Sequence, residues 1–221
     1  MFKTETHVHT SEVSRCSRLA AAEMVRLYHE AGYHTVFVAD HFQDNTLMAL
    51  GDIPWEEKVD AFFKGYELAK EAGEKYGVTV LPSAEVGLRT ISNHYLVYGI
   101  DRDFFKKRED ILSLSPEEFS AYAKEKGVVI VQAHPFRDGA NSPTPTLVDA
   151  IEVYNLNCYH ENYTEKAYSL AVEYGLPMTA GSDSHCIKDV AASGVMTETP
   201  IELVEDYVRL LLANALIPIG A

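Results

Sequence analysis

Short apolar runs alternate with longer amphipathic stretches along almost the whole chain. Residues 2–8 alternate in polarity and read as a strand. Residues 20–31 place Met24, Leu27 and Tyr28 on one helical face, and Gly32 stops that helix. Thr35-Val36-Phe37-Val38-Ala39 is a continuous apolar run, the pattern of a buried strand. Residues 55–76 repeat Trp55, Val59, Phe62, Phe63, Tyr66 and Ala69 at helical spacing and end at Gly77, which predicts one long helix. Further strands are expected at 78–81, 94–98, 128–131, 150–154 and 177–180. Ser115-Pro116-Glu117-Glu118 supplies an N-cap, a proline at the first helical position and an acidic first turn. That helix ends at Lys126-Gly127, and two more are expected at 163–174 and 201–213.

Strands that alternate with helices argue for a parallel sheet covered by helices. The polar residues choose between architectures. His9, His41, Glu85, His134, Asn155 and Asp183 fall at or just past the C-terminal ends of successive strands. A β/α barrel builds its active site on that rim, whereas an open doubly wound sheet gathers residues at only a few strand ends. Contributions from six strands favour a closed or nearly closed barrel. No composition shift, repeat or low-complexity tract divides the chain, so one domain over 1–221 is expected. Loops 42–54 and 137–146 follow candidate site residues and are placed to wall the site.

Seven of the nine histidines sit where apolar runs end. In His7-Val8-His9 strand alternation points both imidazoles the same way, so one ion can take both. Asp183-Ser184-His185 matches that pair on the last expected barrel strand, and first and last strands are neighbours in a closed barrel. His7, His9 and Asp183 could therefore share an ion. Glu85 has two oxygens and a charge, which suits it to bridge two ions. His94 and His134 can complete the second, and His41 and His185 could hold a third. Imidazole and carboxylate donors suit zinc, iron or manganese, so two or three divalent transition-metal ions are expected.

Charge narrows the partners. Lys plus Arg is 19 and Asp plus Glu is 33, a formal net charge of −14. Such a surface repels a phosphate backbone, which disfavours nucleic acid, while bound cations would still admit a small anion. The N-terminus has no apolar signal core and no run suits a membrane span. Three sparse cysteines, Cys16, Cys158 and Cys186, fit a reducing cytoplasm. The pattern leaves the oligomeric state open.

The chain resembles the PHP family, the polymerase and histidinol phosphatase domains. The matching pieces are His7-Val8-His9-Thr10, Val38-Ala39-Asp40-His41, Ala84-Glu85, Asn93-His94, Gln132-Ala133-His134-Pro135 and Gly181-Ser182-Asp183-Ser184-His185, in the family's order. The resemblance implies an α/β fold, a distorted seven-stranded TIM-like barrel with a trinuclear site. It implies that His7, His9, Glu85 and Asp183 hold one metal, Glu85, His94 and His134 a second, and His41 and His185 a third. Family members often add a His or Asp shortly after the HxHT. Here that stretch reads Ser11-Glu12-Val13-Ser14-Arg15-Cys16, so Cys16 or Glu12 is the candidate replacement.

Asp40 is expected to orient a ligand from behind, and Arg137 to clamp a phosphate, with Arg15 and Arg18 as weaker candidates. Asn155, Asn157 and His160 are expected to line the pocket. The expected activity is hydrolysis of a small phosphomonoester on a phosphorylated metabolite, like histidinol phosphate, by a metal-bridging hydroxide. His185 or His160 would assist the leaving group. An amidohydrolase-type attack on a C–N bond or lactone is the alternative on the same barrel, and a non-catalytic domain would have lost ligands that this chain keeps.

Overall fold

The structure, a computed structural model, describes residues 1–220. Ten strands form one sheet: β1 (Phe2–Val8), β2 (Thr35–Val38), β3 (His41–Phe42), β4 (Thr79–Gly87), β5 (His94–Tyr98), β6 (Val129–Gln132), β7 (Ala150–Asn155), β8 (Met178–Gly181), β9 (Gly194–Thr197) and β10 (Ile217–Ile219). Their order is β10-β9-β1-β2-β4-β5-β6-β7-β8, with β3 paired to β4 off that path. The two ends of the curved sheet meet. A parallel bridge joins Val8 to Ser184, and the Ser184 amide donates to the His7 carbonyl at 3.3 Å. The result is a mixed α/β fold with a nearly closed, barrel-like sheet.

Ten strands differ from the expected seven. β3 is a two-residue segment just past β2, and β9 and β10 pair antiparallel beside β1, outside the β1–β8 seam. The parallel pattern also breaks once. β5 runs antiparallel to both β4 and β6. Only residues 88–93 separate β4 from β5, too few for a parallel crossover, so the chain must turn back as a hairpin.

Eight α-helices cover the sheet: α1 (Ala21–Glu30), α2 (Asp44–Ala49), α3 (Trp55–Phe62), α4 (Lys64–Tyr76), α5 (Arg102–Lys106), α6 (Pro116–Glu125), α7 (Thr164–Tyr174) and α8 (Val204–Leu212). The expected long helix at 55–76 is two, divided at Phe63. The break lets Phe62 and Phe63 both pack near Phe105, which itself stacks on Phe42 at 3.8 Å. The Ser115 cap forms as expected, with Glu118 returning a bond to the Ser115 amide at 2.9 Å. Away from the rim, Tyr207 of α8 meets Phe37 of β2, Tyr98 of β5 and Thr179 of β8. Burying a side chain such as Phe37 contributes about 1.5–3 kcal/mol of transfer free energy. This apolar plug fixes the strands whose other ends carry the site.

Candidate metal centre

One close approach and two left-handed residues bring the donors together. Gly181 ends β8 against β1, where a Cβ would stand 2.5 Å from the His7 Cβ, so a side chain there would push the seam apart. Just beyond it, Asp183 adopts a left-handed φ of 51°, and His134 after β6 a φ of 29°. Neither is glycine. Such backbone is uncommon for these residues and persists only where the surroundings impose it.

Four buried donor atoms converge. His7 Nε2 is 3.4 Å from Glu85 Oε2 and 3.5 Å from Asp183 Oδ1. His9 Nε2 is 3.4 Å and 3.0 Å from the same two oxygens. Donors about 2.0–2.2 Å from a zinc-like ion in a tetrahedron stand about 3.3–3.5 Å apart, so the spacing suits an ion at their centre. His7 Nε2 and Glu85 Oε2 are moreover buried without a hydrogen-bond partner. Buried polar atoms are seldom left so, and a cation would satisfy both. The residues fit the group that the sequence implies.

Glu85 reaches further. Its Oε1 lies 2.8 Å from both His94 Nδ1 and His134 Nε2, and its Oε2 2.9 Å from His41 Nδ1. Donor atoms of His41, Glu85 and His94 fall within 4.8 Å of one another, as do those of His9, His41 and His185. His134 shares Glu85 Oε1 with His94, and His9 stands beside the His41–His185 pair. Burial would raise the Glu85 carboxyl, but His94, His41 and His7 hold it well below its ordinary range. Burial and the nearby Arg137 charge lower His134 to about 4, leaving a neutral imidazole able to donate a lone pair.

Three buried carboxylates set these donors. Asp40 accepts from the Thr10 amide and hydroxyl and from Ser14, each at 2.7 Å. Ser14 Oγ lies 3.4 Å from His9 Nδ1 and accepts the His41 amide at 2.9 Å. Asp40 thus holds the turn behind His9. Glu152 of β7 is 2.8 Å from His7 Nδ1 and accepts the His134 amide at 2.9 Å. A proton on His7 Nδ1 leaves the Nε2 lone pair facing Glu85 and Asp183, the usual arrangement behind a metal-bound histidine. Glu5 accepts the Thr6, His7 and Ser182 amides and the Tyr28 hydroxyl, which ties β1 to the end of β8. Glu152 and Glu5 were not singled out from the sequence. Their signal is a charged residue enclosed by buried strand positions.

A cavity of about 560 Å³ opens over the cluster, with His41, His94, His185, Arg137, Arg18 and Cys16 among its lining. Asn157 and His160 also line it. Asn155 lies beneath, bonded to Glu152 and Asp183. Arg137 donates to Asp183, Asn155 and Asn162, so its guanidinium is partly engaged on the ligand side. His160 stands at the rim, 2.7 Å from Asp138. Glu12 is turned away and accepts the Ala21 amide at the start of α1 at 3.0 Å. Burial raises the Cys16 thiol, but hydrogen bonds with His185 and His41 bring it down to about 6. Arg15 is exposed and does not line the cavity. Among the described residues no helix is long and apolar enough to cross a membrane.

Residues 161–216 match a family model described as PHP-associated. No curated protein matches the sequence. Three of the solved structures that share the fold illustrate the likeness. One is a two-domain protein from Bacteroides vulgatus containing a predicted PHP-like metal-dependent phosphoesterase, with TM-score 0.71 and 14% identity over 99% of this chain and 64% of that one. Another is the lesion-specific endonuclease PfuEndoQ from Pyrococcus furiosus, with TM-score 0.66 and 16% identity over 96% of this chain and 56% of that one. The third is an amidohydrolase from Chromobacterium violaceum, with TM-score 0.54 and 15% identity over 99% and 98%. The chain thus spans less than two thirds of the first two. The PHP-associated model thus matches the C-terminal part of the chain, the solved structures share its fold, and the buried His/Glu/Asp donor set lies within that fold.

Proposed function

We propose that this protein, read as one distorted barrel domain over 1–221 built on β1, β2 and β4–β8, is a metal-dependent phosphoesterase. Its substrate would be a small phosphomonoester of the histidinol-phosphate kind. The observation that carries the reading is the charge of the cavity. The chain bears a net −14, yet Arg18, Arg137 and four histidines line the cavity over the donor cluster, with no Asp or Glu among the described lining residues. An anion is the ligand such a lining favours, and about 560 Å³ suits a small one.

His7, His9, Glu85 and Asp183 would hold one ion, and His41, His94, His134 and His185 would complete further positions around Glu85. Bound divalent ions acidify water for attack on phosphorus and neutralise phosphoryl oxygens. Arg137 orients the substrate phosphate with the donors that Asp183, Asn155 and Asn162 leave over, and it neutralises Asp183 at the same time. His160, or His185 where it holds no ion, would return a proton to the leaving alkoxide. A small cytoplasmic metabolite is the proposed partner, because the net −14 charge of the chain repels a polynucleotide backbone.

The amidohydrolase neighbour keeps a second reading in play, hydrolysis of a C–N bond or lactone on the same donors. A panel of phosphorylated metabolites, amides and lactones, with zinc, iron or manganese added, separates the two. Turnover of a phosphomonoester supports the first reading. Turnover of amides or lactones with none of the phosphate esters overturns it.

A further inference from the structure

A left-handed residue that is not glycine stands at the cavity rim. Asp138, in the turn after Arg137, has φ 50° and ψ 17°. Backbone of this kind persists only where surrounding bonds impose it, and it gathers at functional sites. Here the bonds all run to one short segment, 160–161. The Asp138 amide donates to the Glu161 carbonyl at 2.7 Å, and Asp138 Oδ1 accepts the Glu161 amide at 3.1 Å. Asp138 Oδ2 lies 2.7 Å from His160 Nδ1. The neighbouring Arg137 donates to Asn162 and Asp183, which ties the clasp to the donor cluster. The Asp138 and His160 side chains are 49% and 40% exposed. An ion pair so exposed contributes at most about 1 kcal/mol, so stability does not account for a strained residue held by three bonds. An imidazole has two nitrogens, and Asp138 takes Nδ1. That leaves Nε2 for a ligand in the cavity that His160 lines.

We propose that Asp138 is a positioning residue that holds His160 as the proton donor to the leaving alcohol. The proposal rests on the phosphoesterase reading above and deepens it. As the bond from phosphorus to the ester oxygen breaks, its electron pair goes to that oxygen, and the His160 Nε2 proton follows. Water supplies the new oxygen on phosphorus and gives up a proton to solvent, from which His160 regains its own. Asp138 transfers no proton. It accepts the Nδ1–H bond throughout, which fixes the ring and the nitrogen that carries the mobile proton. The clasp is made by backbone and side chains at the rim, so it does not depend on a bound ion. This assignment leaves His185 to the metal donors.

Two leaving groups test this in the metal-loaded full chain. The phenolate of para-nitrophenyl phosphate departs without a proton, whereas the alkoxide of benzyl phosphate needs one. His160→Gln should lower kcat/KM for benzyl phosphate roughly 10²–10⁴-fold, and for para-nitrophenyl phosphate far less. Asp138→Asn keeps the size and tolerates the left-handed backbone. It should show the same pattern at a smaller loss, with parental metal content. In the double variant, Asp138→Asn should add little to His160→Gln, because residues that act as a unit are not additive. Equal losses on both esters, or an Asp138→Asn loss undiminished without His160, would show that Asp138 merely props the loop and would leave the phosphoesterase reading standing. A parent that cleaves para-nitrophenyl phosphate but not benzyl phosphate lacks the acid, which overturns the proposal alone. No turnover of any phosphate ester by the parent overturns both.

Discussion

The donor cluster has an inner and an outer half, and they are built differently. The inner half, His7, His9, Glu85 and Asp183, is 0–1% exposed. Each inner histidine and Asp183 is held from behind: His7 by Glu152, His9 through Ser14 and Asp40, Asp183 by Arg137. The outer half faces the cavity. The side chains of His94 and His185 are 27% and 15% exposed, and Cys16 is exposed. His94 leans on Glu85 alone among the carboxylates, and His185 on the Asp183 carbonyl at 2.9 Å. Preorganised, desolvated donors bind tightly, and loosely held ones at a wet surface exchange. We therefore propose that the inner half retains an ion and the outer half gives access to it.

Glu85 joins the halves, so its loss should have the largest effect. Glu85→Gln keeps the size and removes the charge that five imidazoles face. Metal affinity and turnover should both fall by more than the roughly 10–100-fold that loss of an outer partner costs. Parental metal content and turnover in a folded Glu85→Gln protein would show that the halves do not share it.

Glu5 tests the seam behind the inner half. Burial raises its carboxyl from 4.5 to about 7, against the pull of hydrogen bonds from Ser182, His7 and Tyr28. The folded value lies above the unfolded one, so the folded state binds the proton more tightly. Its contribution is therefore complete below about pH 4.5 and is lost as pH rises through about 7. The change amounts to on the order of 3 kcal/mol. In chelated protein, denaturant melts at about pH 5 and about pH 8 should show the parent's advantage over Glu5→Gln shrinking at the higher pH. A constant gap would mean that Glu5 is already ionised throughout.

A smaller effect is expected behind His7. Glu152→Gln keeps a hydrogen-bond acceptor but weakens the hold on the Nδ1 proton, so metal affinity of the inner half should drop about 10–100-fold. His94→Ala, on the outer side, should leave the inner ion's affinity unchanged. Competition with a chelator of known affinity measures both, and equal losses would erase the distinction between the halves.

The rim histidines were readable in the sequence because His9, His41, His134 and His185 follow apolar runs that become strands, while His94 opens β5, whose antiparallel sense brings its start to the same rim. Glu152 was not, since period-two alternation treats a polar residue in a strand as solvent-facing, while here both faces of β7 are covered. The reversal at β5 was hidden for a related reason: its apolar residues look alike in either direction, and only the short 88–93 connection fixes the sense. The division at Phe63 could not be read from spacing, because Phe62 and Phe63 continue the helical period on both sides of it. Cys16 and Glu12 could not be told apart by spacing after the HxHT; the fold sends Glu12 to the Ala21 amide of α1 and leaves Cys16 at the cavity.

The account stands on a preformed centre that gathers metal ions through His7, His9, Glu85 and Asp183 and their outer partners. Elemental analysis of gently purified and then reconstituted protein tests it most directly. Two or three transition-metal ions per chain are predicted, with the last to leave under chelation being the one lost first in His7→Ala. Fewer than one ion per chain after reconstitution, in protein that melts cooperatively, would contradict it.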